Sequence, residues 1–110
     1  MDLMLEMNNK LQQLETSIKS LRTTGSEFAE AERHYKVLLR IEALKLRADE
    51  GLPVTLIQQV VYGIPEVADA RYKRDVAETV YKANLEAINS IKLQLRILEN
   101  QIQREYVSNS

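Results

Sequence analysis

Residues 52–64, LPVTLIQQVVYGI, decide how the rest of the chain is read. They crowd Leu52, Val54, Leu56, Ile57, Val60, Val61, Tyr62 and Ile64 into one short apolar stretch between two much longer segments. Thr55 followed by Gln58 has the spacing of a capping box. Gly51 is placed to end the segment before, Gly63 ends this one, and Pro65 suits the first turn of the segment after. The spacing predicts one short helix over 54–62. The content of Val, Thr, Ile and Tyr leaves a strand as the alternative.

Upstream, apolar residues fall at Met4, Met7, Leu11, Leu14, Ile18 and Leu21, in alternating steps of three and four. That is a heptad seam on a helix. The frame passes Gly25 to Phe28 and Tyr35, which favours one helix over 3–50. Thr24 with Glu27 matches a second capping box, which would start a new helix there. From Val37 the pattern thickens through Leu38, Leu39, Ile41, Ala43, Leu44 and Leu46, more apolar surface than a two-helix seam covers. Downstream, no Gly or Pro interrupts the chain after Pro65. The seam there runs Val67, Ala70, Arg74, Ala77, Tyr81, Asn84, Ile88, Ile91, Leu95, Leu98, Ile102, with a second stripe at Val76, Val80, Ala83 and Ala87. A helix over 65–106 follows, with VSNS as a frayed tail. Arg74 and Asn84 either specify register from within the seam or lie at its edge.

Two long helices joined by a short connection are antiparallel neighbours. Folding about residue 57 sets Leu11, Leu14, Ile18 and Leu21 opposite Leu98, Leu95 and Ile91. The expectation is an all-α fold in a single domain, 1–110: a long antiparallel helical hairpin with a short helix at its tip. Such helices are on the order of 70 Å long. Side by side, each buries one stripe, leaving Leu39, Leu46, Val80, Leu93 and Ile97 in water. Burying a large apolar side chain is worth roughly 1.5–3 kcal/mol. Assembly into a helical-bundle oligomer is therefore expected, with Leu11, Leu14, Ile18, Leu21, Ile88, Ile91, Leu95, Leu98 and Ile102 as its core. A different protein could supply the missing surface instead.

The composition excludes several classes. The chain has 110 residues, 15 basic and 16 acidic, a net charge of -1, no Cys and one His. Without cysteine there is no disulfide framework, cysteine zinc site or thiol nucleophile. His34 has Glu30 one turn before it but Leu38 one turn after, half of a metal-ligand pair. The Glu-x-x-His motif of di-iron bundles is missing, because Ala31 stands three residues before His34. No nucleotide-binding glycine loop and no nucleophile elbow occur. The expectation is a non-enzyme with no cofactor and no metal. No apolar run is long enough to span a bilayer. MDLMLEMNNK lacks the basic start of a signal peptide, and REYVSNS carries no lipidation signal. A cytoplasmic protein with no membrane partner is expected.

Two surfaces could carry function. The first is the apolar tip: Leu52, Leu56, Ile57, Val60, Val61 and Tyr62 either dock a partner protein or fold back to plug the thick end of the hairpin over Leu39, Ile41 and Leu46. The second is a set of cations, Arg40, Lys45, Arg47, Arg71, Lys73 and Arg74, that could touch single-stranded nucleic acid. Acids interleave with them, as on any exposed helix with i,i+4 pairing. Residues 52–73 have a faint helix-turn-helix outline, but the second helix would open PEVADA, with nothing to read bases.

The stretches EFAEAERHYKVLLRIEALKLRADEGLPVTLI (27–57) and ADARYKRDVAETVYKANLEAINSIKLQLRILENQI (68–102) resemble a family of small, mostly uncharacterised helical, coiled-coil proteins of tailed phages and prophages of Gram-positive bacteria. The resemblance covers about residues 26–106 and supplies no site residues. It implies a place in the host bacterial cytosol near replication and recombination functions. The expected function is that of a phage-encoded accessory protein acting by protein–protein interaction, on replication or recombination proteins or on a host factor. The alternatives are a recombination mediator binding single-stranded DNA and an inhibitor of a bacterial defence system.

Overall fold

The computed structural model describes residues 2–109. Three helices follow in order: α1 (Leu3–Asp49), α2 (Val54–Val61) and α3 (Pro65–Asn109). No strand occurs among the described residues, so the strand alternative for 52–64 falls. The two long helices pack against each other, with the short helix between them in sequence.

The helix ends follow from local chemistry. Asp2 opens α1, its carboxylate accepting the backbone N–H groups of Met4 (3.1 Å) and Leu5 (3.2 Å), which satisfies two of the donors a helix start leaves unpaired. α1 then runs through Gly25 without interruption. The cost of an interior glycine is about 1 kcal/mol, small beside the packing of a seam that keeps its frame across it. The Thr24 capping box does not form; the Thr24 hydroxyl donates to Asn84 Oδ1 instead (2.8 Å). α1 ends where Gly51 takes a positive φ of 64°, the left-handed conformation that glycine adopts without a Cβ penalty.

Pro53 caps α2 through its carbonyl, which accepts Leu56 N–H (3.0 Å) and Ile57 N–H (3.1 Å). No side chain caps this helix, and the Thr55–Gln58 box is not used because α2 begins one residue before Thr55. A tight turn through Gly63 leads to Ile64, whose carbonyl accepts Ala68 N–H (2.9 Å). Pro65 thus takes the first position of α3, where its missing N–H costs nothing. α3 continues past the expected end at 106 as far as Asn109, so Val107, Ser108 and Asn109 of the expected tail are helical; its last residue, 110, lies outside the described residues.

The chain, expected as one hairpin domain, divides into two compact units: Met1–Thr24 with Tyr81–Ser110, and Gly25–Val80. The second holds all three helices. Its core is Tyr35, Leu46, Ile57, Val61, Val67 and Ala70, with Leu38, Leu39, Ala43, Leu52 and Ile64 packed around it. Leu39 and Leu46, expected in water, are covered because α2 folds onto them; Ile41 stays exposed. The first unit is a two-helix pair in which, among the described residues, only Ile88 and Leu98 are buried.

Candidate interaction surfaces

In the first unit the α3 seam lies as its spacing predicts: Tyr81, Asn84, Ile88, Ile91, Leu95, Leu98 and Ile102 are all buried or half-buried. The α1 seam is different. Met7, Leu14 and Leu21 face α3, but Met4, Leu11 and Ile18 are exposed, and Leu3, Lys10 and Ser17 take the places expected for them, with Thr24 next in the same row. Positions one before and one after each heptad step flank the same line on a helix. Apolarity favours Met4, Leu11 and Ile18, but hydrogen bonding favours their neighbours. Asn84 Nδ2 donates to the Ser17 carbonyl (3.0 Å) while its Oδ1 accepts from Thr24. Choosing the apolar row would leave that amide in the seam without partners, a cost of about 1–3 kcal/mol. Of the nine residues proposed as oligomer core, Leu14, Leu21, Ile88, Ile91, Leu95, Leu98 and Ile102 therefore pack within the chain itself. Leu11 and Ile18 are exposed, as are Leu93 and Ile97 on α3.

In the second unit α2 has two sides. Ile57 and Val61 pack into the core and Leu52 is half-buried. Val54, Leu56, Val60 and Tyr62 remain exposed. No charged residue occurs between Leu52 and Ile64.

The candidate cations are mostly engaged. Arg74 is the most enclosed, its side chain only 20% exposed; it pairs with Asp75 (2.7 Å) and Glu32 (3.8 Å) and lies 4.9 Å from the centre of the Tyr35 ring. Its hydrogen bond to Asp75, ahead of the charge attraction, pushes the Arg74 guanidinium above its ordinary range against the opposing effect of burial. Arg71 lies over Tyr62, 5.6 Å from its ring centre. Lys73 pairs with Asp69 (3.1 Å), Lys45 with Glu42 (3.3 Å), and Arg47 donates to the Leu52 carbonyl (3.3 Å). Arg40 is exposed and has no partner among the described residues.

His34 borders a shallow groove of about 470 Å³ with Glu30, Ala31 and Lys73. Glu30 is held below the usual carboxylate range by its two hydrogen bonds from Arg33, with the charge of Arg33 adding to the effect. No group of three metal-ligating side chains occurs among the described residues, and no helix there is long and apolar enough to cross a membrane. No protein-family model, curated protein or solved structure matches the chain.

The aromatic–arginine contacts, Tyr35 with Arg74 and Tyr62 with Arg71, are not legible in the sequence; nothing in the spacing sets these rings against residues of α3. The charge pattern of α1 is legible but hidden among pairs. Between Arg33 and Ala48 every exposed charged side chain is basic: Arg33, Lys36, Arg40, Lys45 and Arg47. Glu42, the one acid there, turns inward and its side chain is only 20% exposed.

Proposed function

We propose that this chain is a non-enzymatic, phage-encoded accessory protein of the host bacterial cytosol that works by protein–protein contact. Its targets are replication or recombination proteins or a host factor. The exposed side of α2 carries the reading. α2 has a polar side at Thr55, Gln58 and Gln59 and an apolar side that a helix ordinarily buries, yet only Ile57 and Val61 of that side are covered, while Leu56, Val60 and Tyr62 stay open. The chain also associates with itself, in keeping with the exposed rows of Leu11 and Ile18 on α1 and Leu93 and Ile97 on α3. Single-strand binding has weaker support, because five of its six candidate cations already hold partners within the chain.

The test is recovery of a partner from phage-infected cells by tagged protein, wild type against Leu56→Asp/Tyr62→Asp. Both side chains are exposed, so thermal unfolding should stay near that of wild type. Recovery should fall by about tenfold or more if they anchor the contact. Equal recovery by the two proteins removes α2 as the docking surface.

A further inference from the structure

The side of α1 turned away from Tyr35 and Leu46 in the second unit carries a seam of its own. Val37, Ile41, Leu44 and Ala48 are all exposed and follow one another in steps of four, three and four. That is the order of positions d and a in a coiled coil. The stripe is narrow. One more helix covers such a width, whereas a helix lying in a lipid surface needs a broader apolar face. The row ends upstream at His34 and Glu30 and downstream at Gly51.

Its flanks are basic. Arg33, Arg40 and Arg47 recur at every seventh residue, each one position before an a, and Lys45 stands on the other side, one position after d. Arg33 is offset by Glu30, and Lys36, off this line, by Glu32. The charges around Ile41 and Leu44 are not offset in full. Arg40 has no partner among the described residues. Arg47 donates to the Leu52 carbonyl, a neutral group that leaves its charge whole. Lys45 pairs with Glu42, whose side chain is only 20% exposed. Three bases thus stand against one inward acid. Asp49 and Glu50 come later and continue the rows of Glu42 and Ala43, off the seam.

We propose that this face of α1 takes a helix of a different protein, apolar at positions a and d and acidic at the flanking positions e and g. This rests on the protein–protein reading above and adds a surface separate from the open side of α2. A helix with carboxylates at every seventh residue sets them about 10.5 Å apart along its axis, the same rise as from Arg33 to Arg40 to Arg47. Arginine meets each carboxylate through a planar fork. A second copy of the chain does not fit. In a parallel pair Arg40 would face Lys45 of its neighbour; in an antiparallel pair arginine would face arginine and lysine face lysine. The outer side of α3 in this unit is no match either, since Glu66, Asp69 and Asp75 there are balanced by Arg71, Lys73 and Arg74. A nucleic acid on this face would leave Val37, Ile41 and Leu44 against phosphates.

The probe is a labelled three-heptad peptide with leucine at a and d and glutamate at e and g, beside the same peptide with lysine at those flanks. Binding is read by fluorescence anisotropy on wild type, Arg40→Glu/Lys45→Glu and Leu56→Asp/Tyr62→Asp, with helix content checked by circular dichroism. Wild type should bind the glutamate peptide and not the lysine peptide, more weakly as salt rises. Arg40→Glu/Lys45→Glu should lose affinity for the glutamate peptide by about tenfold or more and gain the lysine peptide, which an unfolded variant would not do. Leu56→Asp/Tyr62→Asp should bind as wild type does. A loss there instead puts the peptide on α2 and overturns the α1 face while the α2 reading stands. Partner recovery from infected cells by that same variant bears on α2 alone, so the two readings fail separately. No binding of either peptide, equal binding of both, or a glutamate-peptide affinity unmoved by the charge reversal overturns the proposal. Binding of oligo-dT or of phosphatidylserine vesicles that the charge reversal abolishes, with the peptide unbound, assigns the face to phosphate and overturns it too.

Discussion

The same two helices solve their packing differently in the two units. In Gly25–Val80 a third helix covers the pair, and six residues are buried, Val67 among them at 0% exposed. In the unit of Met1–Thr24 and Tyr81–Ser110 the described residues include no third element, only two of them are buried, and a polar residue sits in the seam. Two helices can dry one stripe each; a core with several neighbours per residue needs a third layer. The eight residues of α2 supply it, and two of them, Ile57 and Val61, enter the core. Where that layer is missing, Asn84 with Ser17 and Thr24 contributes directional bonding in place of apolar contact.

The comparison can be broken by substitution. The largest expected effect is Tyr35→Ala, which empties the core of the three-helix unit and removes the ring beneath Arg74. It should cost about 3–5 kcal/mol in urea unfolding. Leu98→Ala in the two-helix unit should cost less, about 2 kcal/mol, since its half-buried surroundings can close the gap. Equal losses at both sites would mean that the two units are packed alike. Asn84→Ala should cost about 1 kcal/mol by removing the bonds to the Thr24 hydroxyl and the Ser17 carbonyl, although the hydroxyl keeps the Leu21 carbonyl as an acceptor. Asn84→Leu should be no less stable but should broaden the amide spectra of the unit as register becomes less specific. Gly51→Ala should cost about 1 kcal/mol, since its φ of 64° is strained for any side chain although nothing crowds the position. The smallest effect concerns Glu30. Its folded pKa is depressed by Arg33, so its contribution is present above the unfolded pKa and fades as pH falls through the folded value. Glu30→Gln should flatten that acid limb slightly and leave stability at neutral pH almost unchanged, as for any exposed pair.

What the sequence makes legible is periodic. The α3 seam can be followed through Arg74 and Asn84 because its frame never breaks. The turn residues Gly51, Gly63 and Pro65 bound α2 to within a residue. The α1 seam reads one position off at alternate steps because apolarity is the only guide, and Leu11 and Ile18 are more apolar than Lys10 and Ser17. Only the position of Asn84 on the other helix decides between the rows, and that is a tertiary fact. The two sides of α2 are hidden for the same reason: Ile57 and its neighbour Leu56 cannot be told apart until Leu46 and Val67 are in place. The charge of the outer α1 face needs burial too, since Glu42 reads as an exposed acid until it is seen to turn inward.

The Asn84 bonds have a consequence for misassembly. Within the first unit, sliding α3 along α1 by one helical turn, about 5.4 Å, would strip both bonds together and leave an orphaned amide between greasy neighbours. A purely hydrocarbon interface would barely notice such a slip. This one penalises it steeply, so the pair gives up some strength for a single permitted alignment of its two helices.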